Sequence, residues 1–486
     1  VYLLDFFNTR HGRELVMKNT SGQTTIQLIL PLLILLVLAL AFAYVMPELS
    51  TIQTIVFGGG IIFFIICIAS TEAALYILIF SMLLSPEIIV GTTERAASLG
   101  RGVTLRIDDF AIFIIGFSWL AKMAINKQLG LFLRTPLNKP IGYYIIVCLI
   151  STLLGAIFAD VSLKTGFFFV LKYFEYVFIY FMVANHLRNK GQIKKFLWAM
   201  LITCFIVSII GIAQIPEGVR VSAPFEGKSG EPNTFGGYLV LMICITTGLF
   251  LTTVSFREQV AYGVLILLFF LPFLYTQSRS SYLAIIPAML VFVWLSEKRQ
   301  WVFLAFIAVL LMLPFVAPDE AKERILYTFE QGKTRKDVIE ISGVKLDTST
   351  TARLNSWKDV ARDWVKHPVF GFGVTGYEFV DAQYFRVLIE TGLLGLATFV
   401  FLLSRIFREA YDIIKITPES FEKGLCMGFL AGFVGLIFHG IGANTFIIVR
   451  IMEPFWFVLA MVIMIPKLES VTPVPDPSTV RLMDRK

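Results

Sequence analysis

The stretch LILPLLILLVLALAFAYVM, Leu28 to Met46, contains no charged residue. An α-helix rises about 1.5 Å per residue, so a run of this length crosses the ~30 Å hydrocarbon layer of a bilayer. A signal-peptide core is shorter, and no small-residue cleavage site follows. The stretch therefore reads as a helix that stays in the membrane. Val1 opens the sequence, and Met17, shortly before this span, is a candidate natural start. Comparable runs recur to the end of the chain. They are too long and too numerous for globular cores, which overrules the soluble domains that 486 residues would otherwise suggest.

Composition agrees. Hydrophobic residues make up 57% of the chain and charged residues only 16%, against about a quarter in soluble domains. Mean hydropathy is +0.77. Cys67, Cys148, Cys204, Cys244 and Cys426 each sit alone in an apolar run, with no C-x-x-C pair to hold a metal or a redox centre. The net charge of +7 resembles a nucleic-acid footprint only until the charges are placed. Most lie at the ends of apolar runs, where membrane topology puts them.

Spans are read near 25–46, 51–69, 72–89, 107–126, 140–159, 167–185, 194–215, 234–255, 258–276, 280–296, 300–317, 384–404, 424–442 and 447–466. The expected fold is thus an all-α polytopic membrane protein of about fourteen transmembrane helices. Residues 1–24 and 467–486 are its cytoplasmic ends, eleven helices fill 25–317, an extracytoplasmic loop covers 318–383, and three helices follow over 384–466. Lys and Arg concentrate in alternate loops, including Lys122 to Lys139, Arg188 to Lys195, Lys298, Arg299 and Arg405 to Lys423. The positive-inside rule then places both termini in the cytoplasm. Arg95, Arg101, Arg106, Arg220 and Arg279 fall on the opposite side, where the rule disfavours them. Together they suggest a polyanionic ligand, while any one of them could simply snorkel to headgroups.

In the long loop a helix is expected over about 351–366, stopped by Pro368. At 100° per residue, Leu354, Trp357, Val360, Ala361 and Trp364 share one stripe, which suits a helix lying at the membrane interface. Arg353 falls within that stripe. Either it finds an anionic partner or it bends out at the helix start.

Four stretches are similar to motifs of the O-antigen ligase and polymerase family of bacterial membrane glycosyltransferases. They are Arg220 with Gly230-Glu231-Pro232-Asn233-Thr234-Phe235-Gly236; Thr276-Gln277-Ser278-Arg279-Ser280; Arg353 and Trp357 followed by His367-Pro368 and Gly371-x-Gly373; and Asp381 through Gly395. One departure matters. The family's ligases carry a histidine where this chain reads Asp381-Ala382. His11, His186, His367 and His439 offer no clear substitute; His439 reads as a packing residue. The resemblance with this departure favours a polymerase of undecaprenyl-diphosphate-linked repeat units over a ligase.

The resemblance implies an undecaprenyl-diphosphate-linked glycan as donor, membrane lipid around it, an inner-membrane location and a chain-length regulator as a candidate partner. It implies no cofactor, no metal and no nucleic acid. Arg279, Arg220 and Arg353 are the candidates to bind the diphosphate, because guanidinium groups form paired hydrogen bonds and stay charged when partly buried. Asp381 and Glu390 are the candidate acceptors of the hydroxyl proton. Asp381 also reads as a solvated loop-end carboxylate, and Glu390 as the i+4 partner of Arg386. Phe167-Phe168-Phe169 and Phe269-Phe270 are candidates to line a groove for the polyprenyl tail, or to face lipid. The rival of another class is a transporter or flippase of lipid-linked sugars, disfavoured by the lack of an internal repeat.

Overall fold

The computed structural model describes residues 51–91, 103–125 and 133–468, with short gaps at 159–160, 162, 227–229, 342–343, 346–347 and 419 and a longer one over most of 317–339. The span read at 25–46, Arg95, Arg101 and both chain ends lie outside the described residues.

Apolar helices occupy the described chain. They are α1 (Thr51–Ala69), α2 (Thr71–Leu84), α3 (Ile107–Ile125), α4 (Asn138–Ile157), α5 (Leu163–His186), α6 (Lys190–Gln214), α7 (Pro232–Thr252), α8 (Phe256–Tyr275), α9 (Arg279–Leu295) and α10 (Arg299–Val316), then α12 (Gln383–Ile416), α13 (Ser420–His439) and α14 (Val449–Met464). The polar helix α11 (Thr348–Asp363) lies between α10 and α12. Two short hairpins, β1 (Glu87–Gly91) with β2 (Val103–Arg106) and β3 (Glu340–Ile341) with β4 (Val344–Lys345), are antiparallel. Among the described residues, eight helices are long and apolar enough to cross a membrane, and four apolar stretches are shorter. The protein is a multi-pass membrane protein.

The chain divides into two units. One comprises residues 1–77 and 110–131, in which Ser118 Oγ donates to the Cys67 carbonyl at 3.2 Å and the Phe64 and Phe117 rings meet at 6.4 Å. The other, residues 78–109 and 132–486, holds every motif stretch named above.

In the second unit α14 is buried from Arg450 to Met464, its apolar residues on every side packed within the protein. Helices α7 and α13 approach closely because glycine faces glycine. A Cβ on Gly248 would stand 2.2 Å from the Gly424 carbonyl oxygen and 2.6 Å from the Gly428 nitrogen. Small residues allow such backbone contact, which drives helix association where lipid removes the hydrophobic effect.

Helix α12 is broken near its start. Gly392 adopts φ 67° and ψ −169°, a region open essentially to glycine alone, and a Cβ there would strike the Val369 carbonyl oxygen at 2.3 Å. The span expected at 384–404 is therefore a short segment to Thr391 and a long one running on to Ile416.

Candidate active site

Helix α11 presents the stripe read from the sequence, with a correction to what it meets. Val360 is fully buried against Val380, Ala382 and Ile389, with Trp357, Trp364, Phe372, Tyr377 and Phe385 packed around them. Trp357 stacks on Phe385 with ring centroids 4.9 Å apart. The stripe thus packs on the protein's own chain. Ala361, assigned to the same stripe, is exposed. At the helix end, Tyr377 donates to Asp363 Oδ2 at 2.8 Å. Hydrogen bonds from Lys366, Arg362 and Tyr377 hold the Asp363 carboxyl below the usual carboxylate range. Burial, then the Asp363 contact, pushes the Tyr377 hydroxyl up to about 12.

Arg353 has the anionic partner its position demands. Its Nη2 donates to Asp381 Oδ2 at 3.0 Å. One predicted diphosphate ligand and one predicted base are thus a pair, both half-buried. The Arg353 Nε and the Trp357 indole nitrogen, one turn apart on the same face, are buried donors with no hydrogen-bond partner among the described residues.

Glu390 sits differently. It is buried, and its Oε1 accepts from Arg386 Nε at 3.0 Å and from the Thr375 nitrogen at 3.2 Å. Arg386 also lies over the Phe169 and Phe379 rings, each 5.8 Å from its guanidinium carbon. The break at Gly392 leaves carbonyls without helical partners, and the loop before α12 supplies donors. The Phe372 nitrogen bonds the Ile389 carbonyl at 2.9 Å, and the Gly373 nitrogen bonds that of Glu390 at 2.8 Å. Ser151 Oγ adds a bond to the Glu390 carbonyl at 2.7 Å. The Gly371-x-Gly373 stretch is therefore a brace for the broken helix. Both glycines have positive φ, and a Cβ on Gly371 would lie 2.5 Å from the Ile389 carbonyl oxygen.

The first two motif stretches meet as well. Pro232 opens α7 at a position where its missing N–H costs nothing. Ser278 caps α9, accepting from the Ser281 nitrogen at 3.3 Å. Arg220 donates through Nε to the Thr276 carbonyl at 3.1 Å and through Nη2 to that of Gln277 at 3.2 Å. Arg279 is the first residue of α9, half-buried at a helix N-terminus whose N–H groups favour anions. Ser278 Oγ donates to Asn233 Oδ1 at 2.7 Å, and Ser281 Oγ donates to Ser278 Oγ at 2.8 Å. His439, fully buried, completes the chain, with Nε2 3.2 Å from Ser281 Oγ and Nδ1 2.7 Å from Thr445 Oγ1. With Ser281 already donating, this order assigns the His439 proton to Nε2. His439 is a satisfied packing residue, as read from sequence.

Residues 440–448 join the two halves. Asn444 Nδ2 donates to the Val380 carbonyl at 2.9 Å, the Gln383 nitrogen to that of Gly440 at 3.0 Å, and the Phe446 nitrogen to Gln383 Oε1 at 2.9 Å. Tyr384 donates to the Ile437 carbonyl at 2.6 Å. A continuous run of hydrogen bonds and backbone thus links Asn233, Ser278, Ser281, His439, Thr445 and Asn444 to Val380, beside Asp381. Sequence reading missed this connecting loop, whose single signal was His439 at the end of its span.

Arg106 is a correction. Read above as a sign of a polyanionic ligand or of snorkelling, it is 1% exposed and pairs with the chain's own Asp108 at 2.9 Å. Of the candidate groove residues, Phe167 and Phe168 are exposed and Phe269 is fully buried.

Residues 263–400 match a protein-family model described as O-Antigen ligase. The family resemblance is borne out over that segment, which contains the second, third and fourth motif stretches. No curated protein matches the chain. The match supports a membrane glycosyl-transfer enzyme of the ligase and polymerase type.

Proposed function

We propose that this protein polymerises undecaprenyl-diphosphate-linked oligosaccharide repeat units at the outer face of the bacterial inner membrane. On this reading the four shorter apolar stretches, α3 and residues 25–46 also cross, giving about fourteen passes with both termini in the cytoplasm. The observation that carries the proposal is the convergence on residues 440–448 of stretches far apart in sequence. Arg279 and Arg220 meet at the start of α9, and a hydrogen-bonded path leads from there to the Arg353–Asp381 pair.

The chemistry follows from these groups. The diphosphate binds at the N-terminus of α9, where Arg279 and the first-turn N–H groups neutralise it and Arg220 supports the turn. The bond from the sugar's anomeric carbon to the diphosphate oxygen breaks, and a bond to the acceptor hydroxyl oxygen forms. Charge grows on the leaving diphosphate, where preorganised cations act most strongly. The hydroxyl proton passes to Asp381, which Arg353 orients, and the buried Arg353 and Trp357 donors hold an anionic or hydroxyl-rich part of the substrate. Cations present in the chain suffice for this chemistry without a metal. Glu390 serves as a positioning residue, since Arg386 and Thr375 already occupy its carboxylate.

Choice of acceptor tests the reading. Purified protein is mixed with lipid-diphosphate-linked repeat units and no other acceptor, and products are separated by size. A ladder is expected. A single shifted band that appears only when lipid core is added would make the protein a ligase, the activity named by the family description.

A further inference from the structure

A second concentration of charge lies where α3, α5 and α14 meet, with no part in the chemistry above. Asp108 and Asp109 occupy the first turn of α3, Glu175 lies on α5 and Glu453 on α14. One oxygen from each of the four carboxylates falls within 4.8 Å of all the others. Two cations join them. Arg106 pairs with Asp108 at 2.9 Å, and Lys172 bridges Asp109 and Glu175, the latter at 2.9 Å. Arg450, one turn before Glu453, is engaged elsewhere, with the carbonyls of Leu83, Ser85, Pro224 and Phe225 and with Glu226. With all four carboxylates ionised they outnumber the Arg106 and Lys172 cations by two, and a buried charge of that kind needs compensation, from a bound cation or from protons.

Glu453 supplies an independent sign of a ligand. Its side chain is fully buried, and neither carboxylate oxygen has a hydrogen-bond partner among the described residues. The nearest cation, Arg106 Nη2, stands 3.8 Å away. Asp108 Oδ1 and Glu175 Oε1 are likewise buried without a hydrogen-bond partner there, while Asp108 Oδ2 faces Arg106 Nη2 at 2.9 Å. Buried carboxylate oxygens aimed at one another, with hydrogen-bonding capacity unused, are what a cation site presents.

We propose that Asp108, Asp109, Glu175 and Glu453 bind one divalent cation of calcium's size, which ties the start of α3 to α5 and α14. An all-oxygen donor set selects a hard cation. The spread of the donors selects its size. Oxygens on opposite sides of a calcium ion stand about 5 Å apart, and those around magnesium about 4 Å. The observed 4.8 Å fits the larger ion without contraction. A doubly charged ion also cancels the remaining charge, which a monovalent ion does not.

The test uses the full chain in detergent, stripped with a chelator and titrated with Ca²⁺ by calorimetry and with Mn²⁺ by electron paramagnetic resonance, alongside thermal unfolding. One ion should bind per chain, and Ca²⁺ should raise the unfolding midpoint. Glu453→Gln and Asp108→Asn should each weaken binding by about tenfold or more. Asp412→Asn, which alters an exposed carboxylate paired with Lys415, should leave it unchanged. Wild-type protein that shows no saturable binding, and the same midpoint with Ca²⁺ and with chelator, would overturn the proposal and leave protons as the balancing charge. Binding that persists unaltered in both variants would overturn it too. If a variant fails to fold, the wild-type titration alone decides.

Discussion

Arg353 and Asp381 face each other at 3.0 Å, and each gives the other its orientation. If Asp381 takes the acceptor proton, Asp381→Asn should lower transfer by about 10²–10⁴-fold while the protein still folds, as checked by initial rates on protein of normal elution volume. Glu390 predicts a different outcome. Glu390→Gln leaves Arg386 buried without its counter-ion, a change that costs about 3–5 kcal/mol when a buried pair is broken. The expected result is a lower thermal midpoint, with Arg386→Met in the same chain restoring much of it. A Glu390→Gln protein of normal stability that fails only in transfer would return Glu390 to the list of proton acceptors. The Arg386–Glu390 pair was legible in the sequence because both residues share a helix at i,i+4 spacing. The need of Arg353 for an anion was legible from its place in an apolar stripe. Its partner was not, because that contact joins two elements and no local period encodes it.

The break in α12 sets how the loop before it is held. Gly392 holds a conformation that any side chain would strain, against the Val369 carbonyl oxygen. Gly392→Ala should therefore cost upwards of about 1–3 kcal/mol and unseat the loop of Gly371 and Gly373, measured as a lower unfolding midpoint and faster proteolysis near Val369. Hydropathy located the helices well, because length and apolarity are local properties of a membrane span. It could not reveal the break, since Glu390-Thr391-Gly392 reads as continuous helix unless the φ of Gly392 is known. Nor could it find residues 440–448, which have no regular period and act through the Gly440 carbonyl, the Phe446 N–H and the side chains of Asn444 and Thr445.

Across the whole molecule, transfer at the outer face requires α11 outside the cytoplasm and the α12–α13 turn inside it. All five native cysteines are buried, so introduced ones can be labelled over a low background. Asn355→Cys, on the exposed face of α11, should react with an impermeant maleimide in spheroplasts. Arg408→Cys, exposed near the end of α12, should react only after lysis. Reversed labelling would contradict the proposed reaction at the outer face.

Charge at the start of α9 is what the proposed transfer depends on most. The decisive measurement is the transfer assay with lipid-diphosphate-linked repeat units, run on wild type, Arg279→Ala and Arg279→Lys. Wild type should give a ladder, Arg279→Ala a loss of about 10²–10³-fold or more, and Arg279→Lys little recovery, since it keeps the charge but not the fork of donors. A ladder from folded Arg279→Ala at near wild-type rate would contradict that dependence.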